Sequence, residues 1–373
     1  LEGWFEMKVC IIAPNFLEPH SWMVSAYKTA KLLNNNGYDV VVITSRTKNS
    51  TKFENIEGIK IHRVPCFFIG DPFNYTVTPF LSYNLMKLIK KEKPDKFLVN
   101  KYMFYTSLSV FLLKILGKKV IMQTDTFPGI NWFGRSKILN FCLIIYANTI
   151  GKMILKLSDV VVVLHEGLIS TSKKLGINYK VIHNGVDFPK YQVKGASDVI
   201  KYKGKDKLIT YVGRLDSVKG YDILLKVALR NPKLKFLFVC GDKHPELRLE
   251  LSKKYSNIKF LGFRKDVHLI MNASDIYVLP SFAEGLPNTL MEAMASGCAC
   301  IASDVGGVKV LIKNGKNGYL TKPGDYLSIE KKINLLLKDS KKRKEFGSKS
   351  KETIKKEFSF DSIIKKWDDI LEK

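Results

Sequence analysis

The sequence predicts an α/β protein of two Rossmann-like domains facing a cleft. Three observations lead there. Near-continuous apolar segments of strand length alternate with segments of helical period, the pattern of a parallel sheet covered on both faces. The alternation breaks once, in a polar stretch after Ile182, and restarts at Lys207. The 373 residues suit two domains of ordinary size, each able to bury its own core.

In chain order, residues 8–14 (Lys-Val-Cys-Ile-Ile-Ala-Pro) read as a buried strand ending at Pro14. A helix is expected over roughly residues 21–35, stopping near Gly37, and a strand over 38–44. Further strands fit 58–64, 96–100, 119–123, 159–164 and 179–182, with helices in most gaps. His183-Asn184-Gly185-Val186-Asp187 opens an irregular polar stretch containing Gly195 and Gly204, read as a linker. Strands are expected again at 208–213, 235–241, 258–261, 275–279, 299–302 and 318–320. The last segment starts Phe358-Ser359-Phe360-Asp361 and places Ile363, Ile364, Trp367, Ile370 and Leu371 on one helix face. The organisation is therefore a domain over 7–185, a linker over 186–206, a domain over 207–355 and a terminal helix over 356–373. No internal repeat or low-complexity tract interrupts it.

Composition narrows the partners. The hydrophobic fraction of 46% and mean hydropathy of −0.05 fit a soluble globular protein. Lys and Arg number 61 against 35 Asp and Glu, a formal charge of +26. Such a field favours phosphorylated substrates, an anionic membrane surface or nucleic acid. No zinc-finger spacing or aromatic ribonucleoprotein pattern accompanies the charge, so nucleic acid is disfavoured. The six cysteines are scattered without a Cys-x-x-Cys pair, and read as reduced, buried thiols of a cytoplasmic protein. No signal peptide is evident, and Met7, directly before the first strand, is the expected native start. The apolar run over 138–150 is too short, and too polar at Asn140 and Asn148, to span a bilayer. It is expected as a buried or interfacial helix.

The most informative stretch is 281–297, Ser-Phe-Ala-Glu-Gly-Leu-Pro-Asn-Thr-Leu-Met-Glu-Ala-Met-Ala-Ser-Gly. It reads as a loop at the carboxyl end of a strand, then a helix started by Pro287 and capped by Gly297. Glu284 falls in the loop and Glu292 more than one turn into the helix. Free N–H groups at the helix start favour phosphate. A second segment, Gly213-Arg214-Leu215-Asp216-Ser217-Val218-Lys219-Gly220, follows another buried strand and brings two cations to its end. Arg can clamp phosphate through two hydrogen bonds, whereas Lys acts as a point charge.

Together these strings resemble the Glu-x7-Glu signature and the diphosphate-binding Gly-Arg-Leu-x4-Lys-Gly loop of retaining glycosyltransferases of family 4, which have the GT-B fold. The resemblance is strong from about 182 to 323 and general before that. It implies a nucleotide diphosphate sugar as donor, a hexose transferred with retention to a hydroxyl of a glycan or lipid-linked acceptor, and no required cofactor or metal. Arg214 and Lys219, with the helix-start amides near Leu286, Pro287 and Asn288, would stabilise the leaving diphosphate. Gly213 and Gly285 would allow close backbone approach. Glu292 would accept from the ribose hydroxyls. Glu284 would hold donor-sugar hydroxyls, as nucleophile or as orienting group. Phe263 and Arg264 fall where the family's base-binding loop lies, or form a surface turn. The terminal helix is expected to return to the N-terminal, acceptor-binding domain.

The N-terminal half departs from the family. The loop after the first strand, from Asn15 to Trp22, lacks the usual Gly-Gly pair. Asn15 and His20 are candidates there for phosphate or acceptor contact, His20 equally for interdomain packing. Thr124 stands where relatives carry a His of a His-Asp pair, while Asp125 remains, to orient or deprotonate the acceptor hydroxyl or to cap a turn. The aromatic stretch 66–75 and the lysines over 87–101 suggest peripheral attachment to an anionic membrane on the cytoplasmic face, against core packing and solvated lysines. Two other functions fit parts of the pattern: a nucleotide-sugar epimerase on the same fold, and a non-catalytic glycan or nucleic-acid binder.

Overall fold

The computed structural model describes residues 7–16, 25–46, 50–69, 75–131, 133, 136–241 and 245–372. The chain divides into two compact units, Leu1–Gly185 with Ile363–Lys373, and Val186–Ser362.

The first unit contains β1 (Lys8–Ala13), β2 (Asp39–Arg46), β3 (Phe53–Ile56), β4 (Ile59–Pro65), β5 (Phe67–Ile69), β6 (Tyr75–Val77), β7 (Lys96–Asn100), β8 (Val120–Thr124), β9 (Val160–Val163) and β10 (Tyr179–Val181). Eight of these form one sheet in the order β10-β9-β8-β7-β1-β2-β4-β3, parallel except for the β3–β4 pair. β1 is central, with Cys10 opposite Val41 on one side and Phe97 on the other. Its residues Val9 to Ala13 are fully buried, as a continuous apolar strand in a two-faced parallel sheet must be.

β5 and β6 form a separate antiparallel ribbon where sequence suggested an aromatic loop. Phe67, Phe68 and Ile69 of this ribbon are exposed, so they do not pack into the core. Residues 70–74 of that stretch lie outside the described residues. Lys87, Lys90, Lys91 and Lys93 are exposed on or just beyond the helix Leu81–Glu92.

The second unit contains β11 (Leu208–Val212), β12 (Lys235–Val239), β13 (Ile258–Gly262), β14 (Ile276–Leu279), β15 (Ala299–Ser303) and β16 (Gly318–Thr321), all parallel, in the order β13-β12-β11-β14-β15-β16. Successive strand residues enter opposite cores. Ile209, Tyr211, Phe236, Phe238, Ile276 and Val278 pack on one side, and Leu208, Val212, Leu237, Val239, Tyr277 and Leu279 on the other. Both faces of the central strands are buried, so these strands are mostly apolar rather than alternating with solvent.

Two further sequence readings change. The stretch 186–206 is not an irregular linker: it holds a short turn at Phe188–Tyr191 and the helix Ser197–Lys203, with Tyr191, Ala196 and Val199 buried in the second unit's core. Polar composition hid it because few side chains anchor it, Val186 and the partly buried Phe188 and Tyr202 being the others. Asp368 accepts a hydrogen bond from the Tyr38 hydroxyl at 2.6 Å. It lies on the final helix, Phe360–Leu371, which buries Ile363, Trp367 and Leu371 and from Ile363 onward belongs to the first unit. Finally, Cys142 is exposed and Cys66 only partly buried, whereas Cys10, Cys240, Cys298 and Cys300 are buried free thiols as expected.

Candidate active site

Strand order in the second unit creates the site. From β11 the chain adds β12 and β13 on one side, then returns to place β14 on the other. The loops leaving β11 and β14 therefore separate at a topological switch point, where open parallel sheets bind ligands. Both strings singled out in the sequence leave strands at this point.

The two loops are tied together. Lys219 Nζ donates to Glu284 Oε1 at 2.8 Å, and Ser281 Oγ donates to the same oxygen at 2.7 Å. The Glu284 side chain is only 7% exposed. A carboxylate removed from water is costly unless paired and hydrogen-bonded, and Lys219 and Ser281 supply both. Lys219 is itself placed by Asp216, whose Oδ1 accepts from Lys219 N at 2.9 Å and whose Oδ2 meets Arg214 Nη2 at 3.0 Å. The Arg214 side chain remains half exposed. Phe282 N donates to Val218 O at 2.8 Å, joining the loop backbones. Gly220 is required at their contact: its φ is +63°, and a Cβ there would lie 2.1 Å from Pro280 O.

A third loop, after β15, closes on Glu284 from behind. Gly307 N donates to Gly285 O at 2.8 Å. A Cβ on Gly306 would lie 1.8 Å from Glu284 O, and one on Gly307 would lie 2.4 Å from Gly285 O. Gly213, at the end of β11, packs on the Tyr211 hydroxyl, which donates to Arg214 O at 2.6 Å.

The helix after β14 spans Asn288–Ser296, with Pro287 as the extended residue before it rather than its first turn. Gly297 ends it in the left-handed conformation, φ +82°, as expected. Leu286 turns inward and is buried, while Glu292, one turn into the helix, is 5% exposed. Burial first, then the charge of Glu292 and a hydrogen bond to it, push the Tyr191 hydroxyl well above its usual range. Tyr277 on β14 is raised chiefly by burial; a hydrogen bond to Thr289 works against this, while both Glu284 and Glu292 add to it.

After β13, Phe263 is half exposed, but the Arg264 guanidinium is occupied. It donates to Asp266 at 2.7 and 2.6 Å and to Asp198 at 2.7 Å. Those pairs make Arg264 a clamp on its own loop and leave Phe263 as the side chain the loop presents.

In the first unit, Asp125 follows β8 and Lys101 follows the neighbouring β7. The Lys101 ammonium donates to the Asp125 carboxylate. Burial pushes the Asp125 carboxyl up, but the charge and hydrogen bond of Lys101 outweigh it and hold the group below its usual range. Lys101 has φ +71°, an uncommon conformation for a non-glycine residue. His165 Nε2 lies 3.2 Å from Asp125 O, and burial lowers the imidazole pKa. Beneath them Asn100 Nδ2 donates to Gln123 Oε1 at 2.8 Å, and Gln123 Nε2 to Thr29 Oγ1 at 3.0 Å, fixing both strand ends to the first helix. Thr124 is buried, its hydroxyl donating to Thr126 O at 2.6 Å. Asn15 is partly buried two residues past β1, and His20 lies outside the described residues.

Sequence reading missed Ser281, Lys101, His165 and the Gly306-Gly307 pair. A Gly-Gly pair directly after a strand was a visible signal of close backbone approach. Lys101 and His165 carried none, because their partners are distant in sequence; Ser281 lies only three residues before Glu284, inside the string already singled out.

Comparison with known proteins follows the same division. Residues 196–353 match the family of glycosyl transferases group 1, and residues 24–189 match glycosyltransferase family 4. An uncharacterized glycosyltransferase of Methanocaldococcus jannaschii is 28% identical over 97% of this chain and 98% of its own length. The UDP-Gal:alpha-D-GlcNAc-diphosphoundecaprenol alpha-1,3-galactosyltransferase of Escherichia coli is 35% identical, over 42% of this chain and 44% of that protein. The match thus spans less than half of the E. coli enzyme. Among solved structures, Anabaena HepE in complex with UDP-glucose superposes with a TM-score of 0.75 at 17% identity, covering 98% of this chain and 99% of that one. Two family models that between them take in both units, and a shared fold along nearly the whole chain, place this protein among the GT-B glycosyltransferases of the family 4 type.

Proposed function

We propose that the protein transfers a hexose from a nucleotide diphosphate sugar to a hydroxyl of a glycan or lipid-linked acceptor, with retention at the anomeric carbon and without a metal. The observation that carries this reading is Glu284, buried at a switch-point strand end and held on one oxygen by Lys219 and Ser281. Its second oxygen is then oriented to accept from donor-sugar hydroxyls beside the reacting carbon. Lys219 carries three N–H donors, and one goes to Glu284. The others, with Arg214 and the first amides of the Asn288–Ser296 helix, meet the diphosphate and stabilise the charge that develops as the bond from the anomeric carbon breaks. That electron pair stays on the diphosphate. The acceptor oxygen bonds to the same face of the sugar, and its proton goes to the departing phosphate oxygen. Glu292 holds the ribose hydroxyls, and Phe263 offers a surface to the base.

Asp125 is assigned to the acceptor, which it orients by accepting from a hydroxyl beside the attacking one. Lys101 keeps that carboxylate charged and pointed. HepE binds UDP-glucose, and the E. coli relative uses UDP-Gal with a diphosphoundecaprenol-linked acceptor, which supports a uridine donor and a lipid-linked acceptor here. Screening nucleotide diphosphate hexoses for saturable binding, and then for transfer in excess chelator, tests the reading. It is supported by acceptor-dependent transfer that survives the chelator with the anomeric configuration kept. Isomerisation of the sugar nucleotide without acceptor, or loss of activity restored by magnesium or manganese, would overturn it.

A further inference from the structure

The helix Lys137–Asn148 reverses the usual arrangement of a surface helix. Leu143 and Ala147 are buried and Tyr146 packs against the first unit's core, yet the opposite face is also apolar. Ile138 is 71% exposed, Phe141 65%, Ile145 49% and Ile144 43%. The next helix, Ile150–Leu157, continues outward with Met153 at 55% exposure while burying Ile154 and Leu155. Water-facing helix positions ordinarily carry charge, so an apolar outer face of this size marks an interaction surface.

Charge identifies the occupant. From Thr126 to Ser158 the chain contains no Asp or Glu. Lys137, Lys152 and Lys156 are exposed among the apolar side chains. An apolar face interspersed with lysines and free of acids is complementary to anionic headgroups over acyl chains. The two helices are bent by 42° to each other, and no single helix among the described residues is long and apolar enough to cross a membrane. With one face already committed to the protein core, the pair can lie in a bilayer surface but cannot be surrounded by lipid.

The surface is joined to the acceptor-side carboxylate by a short scaffold. Tyr146, on the inner side of the first helix, donates to Tyr102 O at 2.6 Å and lies 3.1 Å from Ser107 Oγ. The β5–β6 ribbon is pinned to the same stretch: Tyr75 stacks on Phe104 with centroids 5.6 Å apart and donates to Met103 O at 3.3 Å. The exposed Phe67 and Phe68 are carried on that ribbon. The stretch begins immediately after Lys101, the partner of Asp125.

We propose that the outer face of the helices Lys137–Asn148 and Ile150–Leu157 inserts into the headgroup–acyl boundary of an anionic bilayer, so that Asp125 is presented at the membrane surface to a lipid-linked hydroxyl. This deepens the lipid-linked half of the functional reading and rests on it. Attachment by insertion differs from attachment by lysines alone in its salt response. Screening shortens the Debye length to a few Å near 1 M salt and removes charge attraction, but it leaves apolar burial intact.

The test is flotation of the full chain with phosphatidylglycerol-containing and pure phosphatidylcholine vesicles, at low and high salt, for wild type and an Ile138→Ser/Phe141→Ser/Ile145→Ser variant. A fluorophore on Cys142, with Cys66→Ser, reports the environment of that face. Expected are binding to anionic vesicles that partly persists at high salt, a blue shift of the fluorophore, and roughly tenfold or greater weakening in the triple variant. Transfer to a water-soluble acceptor analogue should be unchanged in that variant, which separates this inference from the catalytic reading. Equal vesicle binding by wild type and variant, or no binding to either vesicle, would overturn it. So would concentration-dependent dimerisation that the variant abolishes, since a second copy would then be the occupant.

Discussion

Lys219 Nζ and Glu284 Oε1 stand 2.8 Å apart although 65 positions separate them in sequence. Each belongs to a loop leaving a different strand, and β11 and β14 are neighbours only because the sheet changes its direction of growth between them. The pair is therefore a product of topology. It brings a cation and a carboxylate to one point, and Gly220 and Gly306 allow the backbones on either side of Glu284 to come close enough to hold it there.

Glu292 is buried one turn into the Asn288–Ser296 helix, beside Tyr191 and Tyr277. Its assigned partner is the nucleotide rather than the reacting carbon. Glu292→Gln is expected to weaken nucleotide diphosphate binding by about tenfold, or 1.4 kcal/mol, with kcat changed much less. Calorimetric titration with UDP, alongside steady-state rates, checks this. An unchanged Kd would remove Glu292 from the donor site.

Gly306→Ala should damage the site and the fold together. Its Cβ would fall 1.8 Å from Glu284 O at a φ of +48°. Gly315→Ala is the control, since φ is +75° there but nothing lies within 4 Å. The control carries only the left-handed strain, about 1–2 kcal/mol. Gly306→Ala is expected to lose at least about 2 kcal/mol more in urea unfolding, and to lower kcat as Glu284 shifts. Equal losses in the two variants would show that the loop after β15 does not brace Glu284.

His165 gives the first unit a pH dependence. Burial holds its folded pKa below the ordinary imidazole value of 6.5, with Asp125, Glu166 and His183 as its charged or titratable neighbours. The folded state thus favours the neutral ring. Its contribution is present above about pH 6.5, where both states are neutral, and is lost as pH falls and the unfolded chain takes up the proton. Thermal unfolding should show Tm falling as pH drops below that value, with a shallower fall in His165→Gln. His62, also lowered by burial, keeps part of the slope. Parallel profiles for wild type and His165→Gln would rule out this source.

Much of this architecture is readable in the sequence because parallel strands buried on both faces are continuous apolar runs. β7 and β11 fall where composition puts them, and the terminal helix follows from five apolar residues on one face. The β5–β6 ribbon was not readable, since its Phe67 and Phe68 look like core residues and only tertiary context exposes them. The outer face of Lys137–Asn148 was half readable: its hydrophobicity is plain, but which side meets solvent is decided by Leu143 and Ala147 packing inward. In the site, Glu284, Lys219 and Glu292 lie in strings dense enough to resemble a family. Lys101 and His165 are visible only once β7, β8 and β9 are neighbours, because a lone Lys or His after a strand has no local signature. Arg264 shows the opposite failure: a well-placed cation whose guanidinium is taken by Asp198 and Asp266.

The central claim is that Glu284 acts at the reacting carbon. The most direct measurement is kcat for hexose transfer by Glu284→Ala, alongside its donor Kd, with a donor and acceptor that wild type uses. Loss of a group that positions the reacting centre is expected to lower kcat by about 10²- to 10³-fold while donor Kd stays within about tenfold. Wild-type kcat in Glu284→Ala would contradict the account, and the Lys219–Glu284 pair would then be a structural tie between two loops.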